Sequence, residues 1–226
     1  MKDSKPRPQT PQKRRILVAD DHPLLREGLM PLINRQKDLE CCGETDCAPS
    51  TQQAIETLKP DLLLLDLRLG EGDGIEFIKM LHSLHPTLPI LVLSQFDENI
   101  YAERVLRAGA RGYVMKQEAT EAVLTAIRAV LDGELYVSRR IAVSVLNKFL
   151  QSKPTAGSGL VERLSDRELQ VFQMVGSGMR TRDISTKLGL SIKTIETHRE
   201  NIKHKLGLQA GPDLVRHATR WVEGNT

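Results

Sequence analysis

Five apolar runs, each followed by a segment with helical periodicity, constrain the fold of this 226-residue chain more than any other feature. The runs read RILVAD, LECCGET, DLLLLD, PILVLS and ARGYVMK, and they begin at residues 15, 39, 61, 89 and 110. Continuous rather than alternating apolar strands are expected when helices cover both faces of a parallel sheet. Five strand–helix units in about 120 residues therefore predict an α/β doubly wound fold with a five-stranded parallel sheet, of the flavodoxin-like kind.

Charged or polar residues follow four of the five predicted strands. They are Asp20 and Asp21 after the first strand, Asp66 after the third, Ser94 at the end of the fourth and Lys116 at the end of the fifth. Functional groups in such folds gather outside the carboxyl ends of the strands. A carboxylate directly after four leucines is costly to bury, so we expect these side chains to converge on a functional site.

The residue types at this edge favour phosphoryl chemistry with a divalent cation. Mg2+ prefers oxygen ligands and retains several waters, so one or two carboxylates and a phosphoryl oxygen suffice to hold it. Asp66 is a candidate carboxylate nucleophile. Lys116 would balance charge on the transferring group, and Ser94 would donate a hydrogen bond to a phosphoryl oxygen.

On these positions, residues 15–134 resemble a response-regulator receiver domain of two-component signalling. Tyr113, three residues before the lysine, matches the switch aromatic of that family, and Asp73–Gly74 match the DG of the loop after the acceptor. The resemblance implies a sensor histidine kinase as donor and Mg2+ as cofactor. It implies Asp66 as phospho-acceptor and, as metal ligands, Asp20, Asp21, Asp66 and the backbone carbonyl of Arg68.

Two positions depart from the pattern of that family. Gly70 stands where proline is common, which predicts a looser loop after the acceptor. Gln95 replaces the small residue that often follows the switch hydroxyl, which would slow access to the phosphoryl group. Neither change removes a group that the chemistry needs.

The charge and the composition divide the chain into parts with different expected partners. Residues 13–135 carry a net charge of −6, residues 136–154 carry +4 and residues 155–226 carry +3. A basic end favours a polyanion such as DNA. Three cysteines, Cys41, Cys42 and Cys47, give neither an even disulfide framework nor the spacing of a zinc site.

These features predict four segments along the chain. Residues 1–13 form a disordered basic tail, 14–134 the receiver domain and 135–160 a linker. The linker begins with a helix over LYVSRRIAVSVLNKFL and continues with the flexible stretch QSKPTAGSG. Residues 161–226 read as short helices and form a small all-α domain.

A helix-turn-helix is predicted inside that all-α domain. Ser165 and Glu168 have the spacing of a capping box. Two later helical segments meet at Gly189–Ser191, with Ser191 as N-cap of the second helix. Helical geometry places one apolar face on the domain, formed by Ile192, Ile195, Ile202 and Leu206, and turns the opposite face outward, formed by Lys193, Thr197, Glu200 and His204.

Residues 164–208 resemble the LuxR-type DNA-binding domain, notably in LSDRELQV, DISTKLGLS and KTIETHRENIKHKLGL. The motif lays its second helix in the DNA major groove. By position in that family, the residues facing bases would be Glu196, Thr197 and Glu200. The candidates for phosphate contact are Lys193, Thr194, Arg199, Lys203, Arg180 and Arg182. Glu200 as a merely solubilising residue is an equally good reading.

Together the two halves resemble a NarL/FixJ-type response regulator. The resemblance implies a cytoplasmic transcription regulator without a membrane segment, whose receiver catalyses its own phosphorylation and dephosphorylation. It implies a homodimer that forms on phosphorylation and reads an inverted repeat in double-stranded DNA. The last helix, with Leu214, Val215, Ala218 and Trp221, is a candidate dimer surface, and packing within its own domain is the alternative.

Two other functions remain open from the sequence alone. A Mg2+-dependent phosphohydrolase also forms an aspartyl phosphate, but it needs a general acid near the nucleophile, and position +2 here is Arg68. A DNA-binding regulator with a vestigial receiver is the second alternative, although the complete set of Asp66, Ser94 and Lys116 argues against it.

Overall fold

The computed structural model describes residues 13–70, 73–118, 120–151, 161 and 163–224. The chain divides into two compact units, Met1–Val143 and Ser144–Thr226. Residues 1–12 of the predicted tail and 152–160 of the predicted flexible linker lie outside the described residues. The residue boundaries proposed above for the four segments therefore stay a prediction.

The first unit is a five-stranded parallel sheet with strand order β2-β1-β3-β4-β5. The predicted fold class is confirmed. In chain order the elements are β1 (Arg14–Ala19), α1 (Pro23–Asn34), β2 (Leu39–Thr45), α2 (Ala48–Leu58), β3 (Leu62–Leu65), α3 (Gly74–Leu84), β4 (Ile90–Ser94), α4 (Glu98–Ala108), β5 (Gly112–Met115) and α5 (Thr120–Leu131). The next helix, α6 (Arg139–Gln151), begins in the first unit and ends in the second.

Strands β3 and β4 are buried along their whole length because both of their faces are covered. All four residues of β3 and all five of β4 are buried. In the edge strand β2 only the first residue, Leu39, is fully buried, and the others are half-buried or exposed. The burial pattern follows from the strand order, since β3 is the middle strand of the five.

The predicted linker helix begins four residues too early. Leu135–Ser138 is not helical, because Gly133 ends the preceding turn at φ +87° and the chain returns along the free edge of β5. The amide of Tyr113 donates to the carbonyl of Tyr136 over 2.8 Å, and the amide of Tyr136 donates to the carbonyl of Arg111 over 3.0 Å. This segment therefore satisfies backbone groups that an edge strand would otherwise expose.

The second unit is all-helical, as predicted. Its elements are α7 (Asp166–Gly176), α8 (Thr181–Leu188), α9 (Ile192–Leu206) and α10 (Gly211–Gly224). Both bonds of the Ser165–Glu168 capping box form at the start of α7. Gly189 ends α8 at φ +66°, and Ser191 caps α9 by accepting from the amide of Thr194.

The last helix packs within its own unit. Leu214 and Ala218 are fully buried, and the ring of Trp221 lies 5.7 Å from that of Phe172 in α7. A Cβ added to Gly176 would lie 2.4 Å from the carbonyl oxygen of Ala218, so α7 and α10 approach more closely than a side chain allows. Most of the stripe considered as a dimer surface therefore belongs to the core of the unit.

Among the described residues, no helix is long and apolar enough to cross a bilayer.

Two glycine-to-alanine changes are expected to shift stability in opposite directions. A Cβ at Gly112 would lie 2.8 Å from both Leu91 Cδ1 and the carbonyl oxygen of Tyr136. Gly112→Ala should lower the free energy of unfolding of the first unit by about 1–3 kcal/mol, because the Leu135–Ser138 segment must move. Urea denaturation followed by tyrosine fluorescence measures it, because the three tyrosines of the chain all lie in residues 1–143.

Gly28→Ala is the matched control. Gly28 lies inside α1 with nothing within 4 Å of the added Cβ, so alanine should raise the free energy of unfolding by about 0.5–1 kcal/mol. Equal effects of the two changes would contradict the packing described for the edge of β5.

Candidate functional site

The carboxyl ends of β1, β3, β4 and β5 bring the predicted phosphoryl-site residues to one edge of the sheet. Backbone pairing continues just past the strands and fixes their positions. The amide of Asp66 donates to the carbonyl of Ala19 over 2.8 Å, and the amide of Lys116 donates to the carbonyl of Ser94 over 2.7 Å. The site residues are therefore held by the sheet itself rather than by long loops.

Lys116 joins two buried carboxylates. Its Nζ lies 2.7 Å from Asp20 Oδ2 and 2.7 Å from Asp66 Oδ2. The side chains of Asp20 and Asp66 are 2% and 1% exposed, and that of Lys116 is 13% exposed. When both acids are ionised, the single positive charge of Lys116 balances only one of the two negative charges.

The carboxyl group of Asp66 is difficult to ionise in this setting. The pKa of Asp66 is raised from the ordinary value of 3.8 to about 6, chiefly by burial and in smaller part by the neighbouring Asp20 carboxylate. Lys116 and the amide of Arg68 act in the opposite direction, since both stabilise the charged form. That amide donates to Asp66 Oδ1 over 3.1 Å. A further cation at the site would therefore stabilise the charged form of Asp66.

His22 is a member of this cluster that the sequence reasoning missed. Its Nδ1 lies 3.1 Å from Asp20 Oδ1 and 3.9 Å from Asp66 Oδ2. His22 Nδ1 also lies 2.6 Å from Asp21 Oδ1, but the angle is not that of a hydrogen bond. In the part of the chain that the structure describes, this buried Asp21 oxygen therefore has no hydrogen-bond donor. Its place directly after two site acids was the signal available in the sequence.

The donor set fits a hard divalent cation. Ligand atoms of Asp20, Asp21, His22 and Asp66 all lie within 4.8 Å of one another. Three of the four are carboxylates, and Asp21 presents a buried oxygen that accepts no hydrogen bond from the described residues. Oxygen-rich sites of this kind suit Mg2+, which keeps waters for its remaining positions. The backbone of Arg68, also predicted as a ligand, lies next to Asp66 through its amide.

Ser94 and Tyr113 hold the β4–α4 loop beside Asp66. Ser94 is fully buried, and its Oγ accepts from the amide of Phe96 over 3.3 Å. The hydroxyl of Tyr113 donates to the carbonyl of Phe96 over 2.7 Å. Burial raises the pKa of Tyr113 well above its ordinary range, so this phenol stays a hydrogen-bond donor.

The two positions that depart from the receiver pattern lie on the surface of this edge. Gly70 takes φ +73°, a conformation that favours glycine and that proline cannot adopt, so the loop after the acceptor turns differently there. Gln95 is exposed immediately after the buried Ser94. Neither residue displaces a member of the acidic cluster.

The exposed face of α9 carries most of the predicted DNA contacts. Exposed residues are Lys193, Glu196, Thr197, Glu200, Asn201 and His204 on α9, with Arg180 and Arg182 at the start of α8. Ile195, Ile202 and Leu206 are buried on the opposite face, as predicted. The prediction for Ile192 was wrong, because this first residue of α9 is 45% exposed.

Three of the residues predicted to contact DNA bond to neighbouring side chains instead. Arg199 reaches back to the Thr181 hydroxyl at 3.5 Å, and Lys203 pairs with Glu200 at 2.9 Å. The Thr194 hydroxyl lies 2.8 Å from that of Ser191 at the helix cap. A groove of about 420 Å3 on this surface is lined by Thr181, Glu196, Arg199, Glu200, Lys203, Gly211 and Leu214.

A larger cavity of about 870 Å3 lies at the opposite edge of the sheet from the acidic cluster. Its lining includes Arg14, Lys59, His82, His85 and Arg111. Helices α2 to α5 all end at this edge, and cationic side chains favourably offset the partial negative charge of helix C-termini. The basic lining is thus explained by the helices, and the chemistry lies elsewhere.

Comparison with known families agrees with both halves of the geometry. Residues 16–128 match the family described as "Response regulator receiver domain", and residues 162–218 match "Bacterial regulatory proteins, luxR family". The oxygen regulatory protein NreC of Staphylococcus aureus (strain bovine RF122 / ET3-1) is 36% identical over 210 residues, which are 91% of this chain and 97% of that protein.

Solved structures agree as well. RcsB from Salmonella enterica serovar Typhimurium, bound to promoter rprA in the presence of the phosphomimetic BeF3−, is 26% identical with a TM-score of 0.57. The match covers 92% of this chain and 99% of that one. A two-component response regulator of the LuxR family from Aurantimonas sp. SI85-9A1 is 29% identical with a TM-score of 0.56, over 62% of this chain and 99% of that one.

Neutralising Asp66 is expected to stabilise the first unit in a pH-dependent way. Asp66→Asn should raise the free energy of unfolding at neutral pH by about 1–3 kcal/mol, because folding buries a charged carboxylate that prefers water. Between the ordinary pKa of 3.8 and the folded pKa of about 6, the folded wild type binds more protons than the unfolded chain. Its stability therefore falls as the pH rises through this window.

The difference in free energy of unfolding between Asp66→Asn and the wild type should consequently grow from about pH 4 to about pH 6 and stay constant above pH 6. Urea denaturation at several pH values measures it. Glu56→Gln, which removes an exposed carboxylate from α2, is the control for the loss of one charge. A stability difference for Asp66→Asn that does not vary with pH would contradict the burial of an unfavourable charge.

Proposed function

Because this chain belongs to the response regulators that join a receiver domain to a LuxR-type DNA-binding domain, we propose that phosphorylation of Asp66 controls its dimerisation and DNA binding. The donor would be the phosphohistidine of a sensor histidine kinase. The observation that carries the proposal is the pair of 2.7 Å contacts by which Lys116 joins Asp66 to Asp20. Proteins of this family are transcription regulators rather than classical enzymes.

Phosphoryl transfer to Asp66 needs positioning and charge balance more than covalent help from other residues. The P–N bond of the donor breaks with its electron pair left on the imidazole, and a P–O bond forms to a carboxylate oxygen of Asp66. Lys116 already contacts that carboxyl group and would follow the negative charge onto the phosphoryl oxygens. Burial of Asp66 disfavours its free charged form, which makes it a better nucleophile than a solvated carboxylate.

A divalent cation fits the same cluster and would be held by Asp20, Asp21 and Asp66. When bound, Mg2+ supplies the positive charge that lets a phosphoryl group approach several carboxylates. The unpartnered oxygen of Asp21 supports this assignment. The backbone carbonyl of Arg68 remains the proposed fourth ligand, next to the amide that Asp66 already accepts from. The same residues would serve the hydrolysis that resets the receiver.

The phosphorylated state would differ at Ser94, whose hydroxyl would turn to a phosphoryl oxygen. An inward rotation of Tyr113 is not needed, because its side chain is already buried and its hydroxyl already donates to the Phe96 carbonyl, so the phosphorylated state would keep this position. Moving a population from 1:99 to 99:1 requires about 5.5 kcal/mol of differential stabilisation. Charge-assisted hydrogen bonds to a phosphoryl group are among the stronger interactions available for this purpose.

DNA recognition is assigned to α9. Glu196, Thr197 and Glu200 lie on its exposed face and would reach base edges, where a carboxylate accepts from cytosine N4. Lys193, Thr194, Arg199 and Lys203, with Arg180 and Arg182, would contact phosphates. Two acids on a base-reading face weaken the attraction to DNA, so affinity would depend on a symmetric dimer reading an inverted repeat. Such a regulator acts in the cytoplasm, where its DNA lies.

A phosphoryl donor is expected to change both assembly and DNA binding. In the presence of Mg2+ and a small-molecule donor, the wild type should shift towards dimers and bind a duplex selected from random DNA at least tenfold more tightly. Light scattering and fluorescence anisotropy, measured on the same sample, report the two effects. Asp66→Ala should show neither.

Lys116→Met provides the second arm of this experiment, because it leaves Asp66 in place and removes the cation that contacts it. We expect this variant to accept the phosphoryl group more slowly than the wild type, because the charge balance from Lys116 is lost, and to show no shift in assembly. If the wild type binds DNA equally well with and without the donor, the receiver is vestigial and the proposal fails.

The salt dependence of DNA binding should distinguish a lysine that contacts phosphate from one that does not. Lys193→Ala should weaken binding to specific and non-specific duplexes alike and lower the slope of log K against log salt by about one. Lys187→Ala, which removes an exposed lysine from α8 outside the predicted contacts, is the matched control. Equal slopes for both variants would remove Lys193 from the interface.

A further inference from the structure

The N-cap position of α1 is occupied by a histidine that does not cap the helix. His22 precedes Pro23, the first residue of α1, and among the described residues its side chain makes no capping hydrogen bond. Serine, threonine, asparagine and aspartate are preferred at an N-cap because their side-chain oxygen satisfies a free amide of the first turn. The beginning of the helix therefore does not explain the imidazole of His22.

The side chain of His22 turns instead towards the carboxylates of the proposed phosphoryl site. The backbone amide of His22 donates to Asp20 Oδ1 over 2.8 Å, and Nδ1 lies 3.1 Å from the same oxygen. Nδ1 is also 2.6 Å from Asp21 Oδ1 and 3.9 Å from Asp66 Oδ2. A ring nitrogen thus lies close to all three acids that are assigned to the divalent cation.

These separations resemble those between ligand atoms of one metal ion. Two ligand atoms that bind an octahedral ion at about 2.1 Å are about 3 Å apart when adjacent and about 4.2 Å apart when opposite. The distances from Nδ1 to the oxygens of Asp21 and Asp20 lie near the first value, and the distance to Asp66 lies near the second. A single ion can therefore contact His22 together with the three acids.

The environment of the cluster also favours a cation next to the imidazole. The buried Asp21 oxygen beside Nδ1 has no hydrogen-bond donor among the described residues, and a cation would compensate this loss. The side chain of His22 is 51% exposed, whereas that of Asp66 is 1% exposed. The cluster thus opens to solvent at the histidine, which gives a hydrated ion a path to the acids.

An imidazole nitrogen favours a different class of cation from the one that the carboxylates favour. Mg2+ prefers oxygen ligands and retains several waters. First-row transition-metal dications such as Co2+ and Ni2+ bind imidazole readily and bind mixed nitrogen and oxygen sites more tightly than the earlier metals of the row do. The neutral tautomer of His22 with its proton on Nε2 offers them a lone pair at Nδ1. The cluster therefore contains one ligand that only the transition metals use.

We propose that the acidic cluster is also a site for first-row transition-metal dications, with His22 Nδ1 as a ligand beside Asp20, Asp21 and Asp66. Mg2+ keeps a water at the position that the imidazole takes for a transition metal. The two classes of cation compete, so the ion at the phosphoryl site depends on both concentrations. The inference rests on the proposed function, because that function assigns the three acids to a cation.

Calorimetric titration of the full chain with Co2+ and with Mg2+, at one fixed pH, measures this preference. His22→Phe keeps an aromatic ring and removes both nitrogens. It should weaken Co2+ binding about 10- to 100-fold, no less than the loss that follows removal of an outer-shell partner of a metal ligand. Mg2+ binding should change by less than about threefold, because Mg2+ does not use the nitrogen. In the wild type, added Mg2+ should raise the apparent Kd of Co2+.

His82→Phe is the matched control, because His82 lies in the same unit but lines the cavity at the opposite edge of the sheet. It should bind both ions as the wild type does. Equal losses of Co2+ and Mg2+ affinity in His22→Phe would mean that the histidine only positions the acids, which would overturn the inference. Unchanged Co2+ binding in His22→Phe would overturn it as well, and so would Co2+ that Mg2+ does not displace.

X-ray absorption at the cobalt edge detects the ligand itself. The ring carbons of a bound imidazole scatter in a pattern that carboxylates and water lack. This pattern should be present in the wild type and in His82→Phe, and absent in His22→Phe. A wild-type spectrum with oxygen ligands alone would contradict the assignment, even if the affinities differed as expected.

The fluorine resonance of bound beryllofluoride, a phosphoryl mimic, separates this inference from the proposed function. If the resonance forms with Mg2+ in the wild type and not in Asp66→Ala, the acceptor site works, and unchanged Co2+ binding in His22→Phe contradicts only the role of the histidine. If no resonance forms while Co2+ binding depends on His22, the proposed phosphorylation fails and the metal site stands. If neither cation binds the wild type, the assignment of the acids fails and the inference fails with it.

Discussion

The buried carboxylate of Asp66 and the lysine that holds it are the interaction on which the rest of the structure depends. A charge this deeply buried must be paired, and Lys116 pairs with Asp66 and Asp20 at once. The central position of β3 allows this, because β1 delivers Asp20 from one side and β5 delivers a long side chain across β4 from the other. The imbalance of charge that remains suits the site to a cation and a transferable anion.

The same strand ends also hold the loop that leads into α4. Ser94 closes β4 and Tyr113 belongs to β5, and both bond to Phe96 in this loop. The segment that returns along β5 places the start of α6 beside the first residue of α4. The proposed phosphoryl site and the start of α6 are thus joined through a single loop of the first unit.

Much of the fold could be predicted from the sequence because burial governs it. Four consecutive leucines can only be a covered strand, and the observed β2 begins and ends where the prediction placed it. Leu135–Ser138 was missed because its apolar spacing fits a helix, while its actual partners are backbone groups of β5 that no local pattern reveals. His22 directly follows two of the acids, but it was missed because its approach to Asp66 depends on the turn after β1, which no local pattern reveals. On α9, the periodicity placed Ile195 correctly, but it could not show that Arg199 turns back to Thr181.

Chemical trapping of the acceptor tests the central claim most directly. After incubation with a phosphoryl donor and Mg2+, borohydride reduces an aspartyl phosphate to homoserine, which mass spectrometry locates in the sequence. The account predicts homoserine at position 66 in the wild type, dependent on the donor and on Mg2+. An unmodified Asp66 under conditions where the donor is active, or a modification at Asp20 or Asp21 instead, would contradict it.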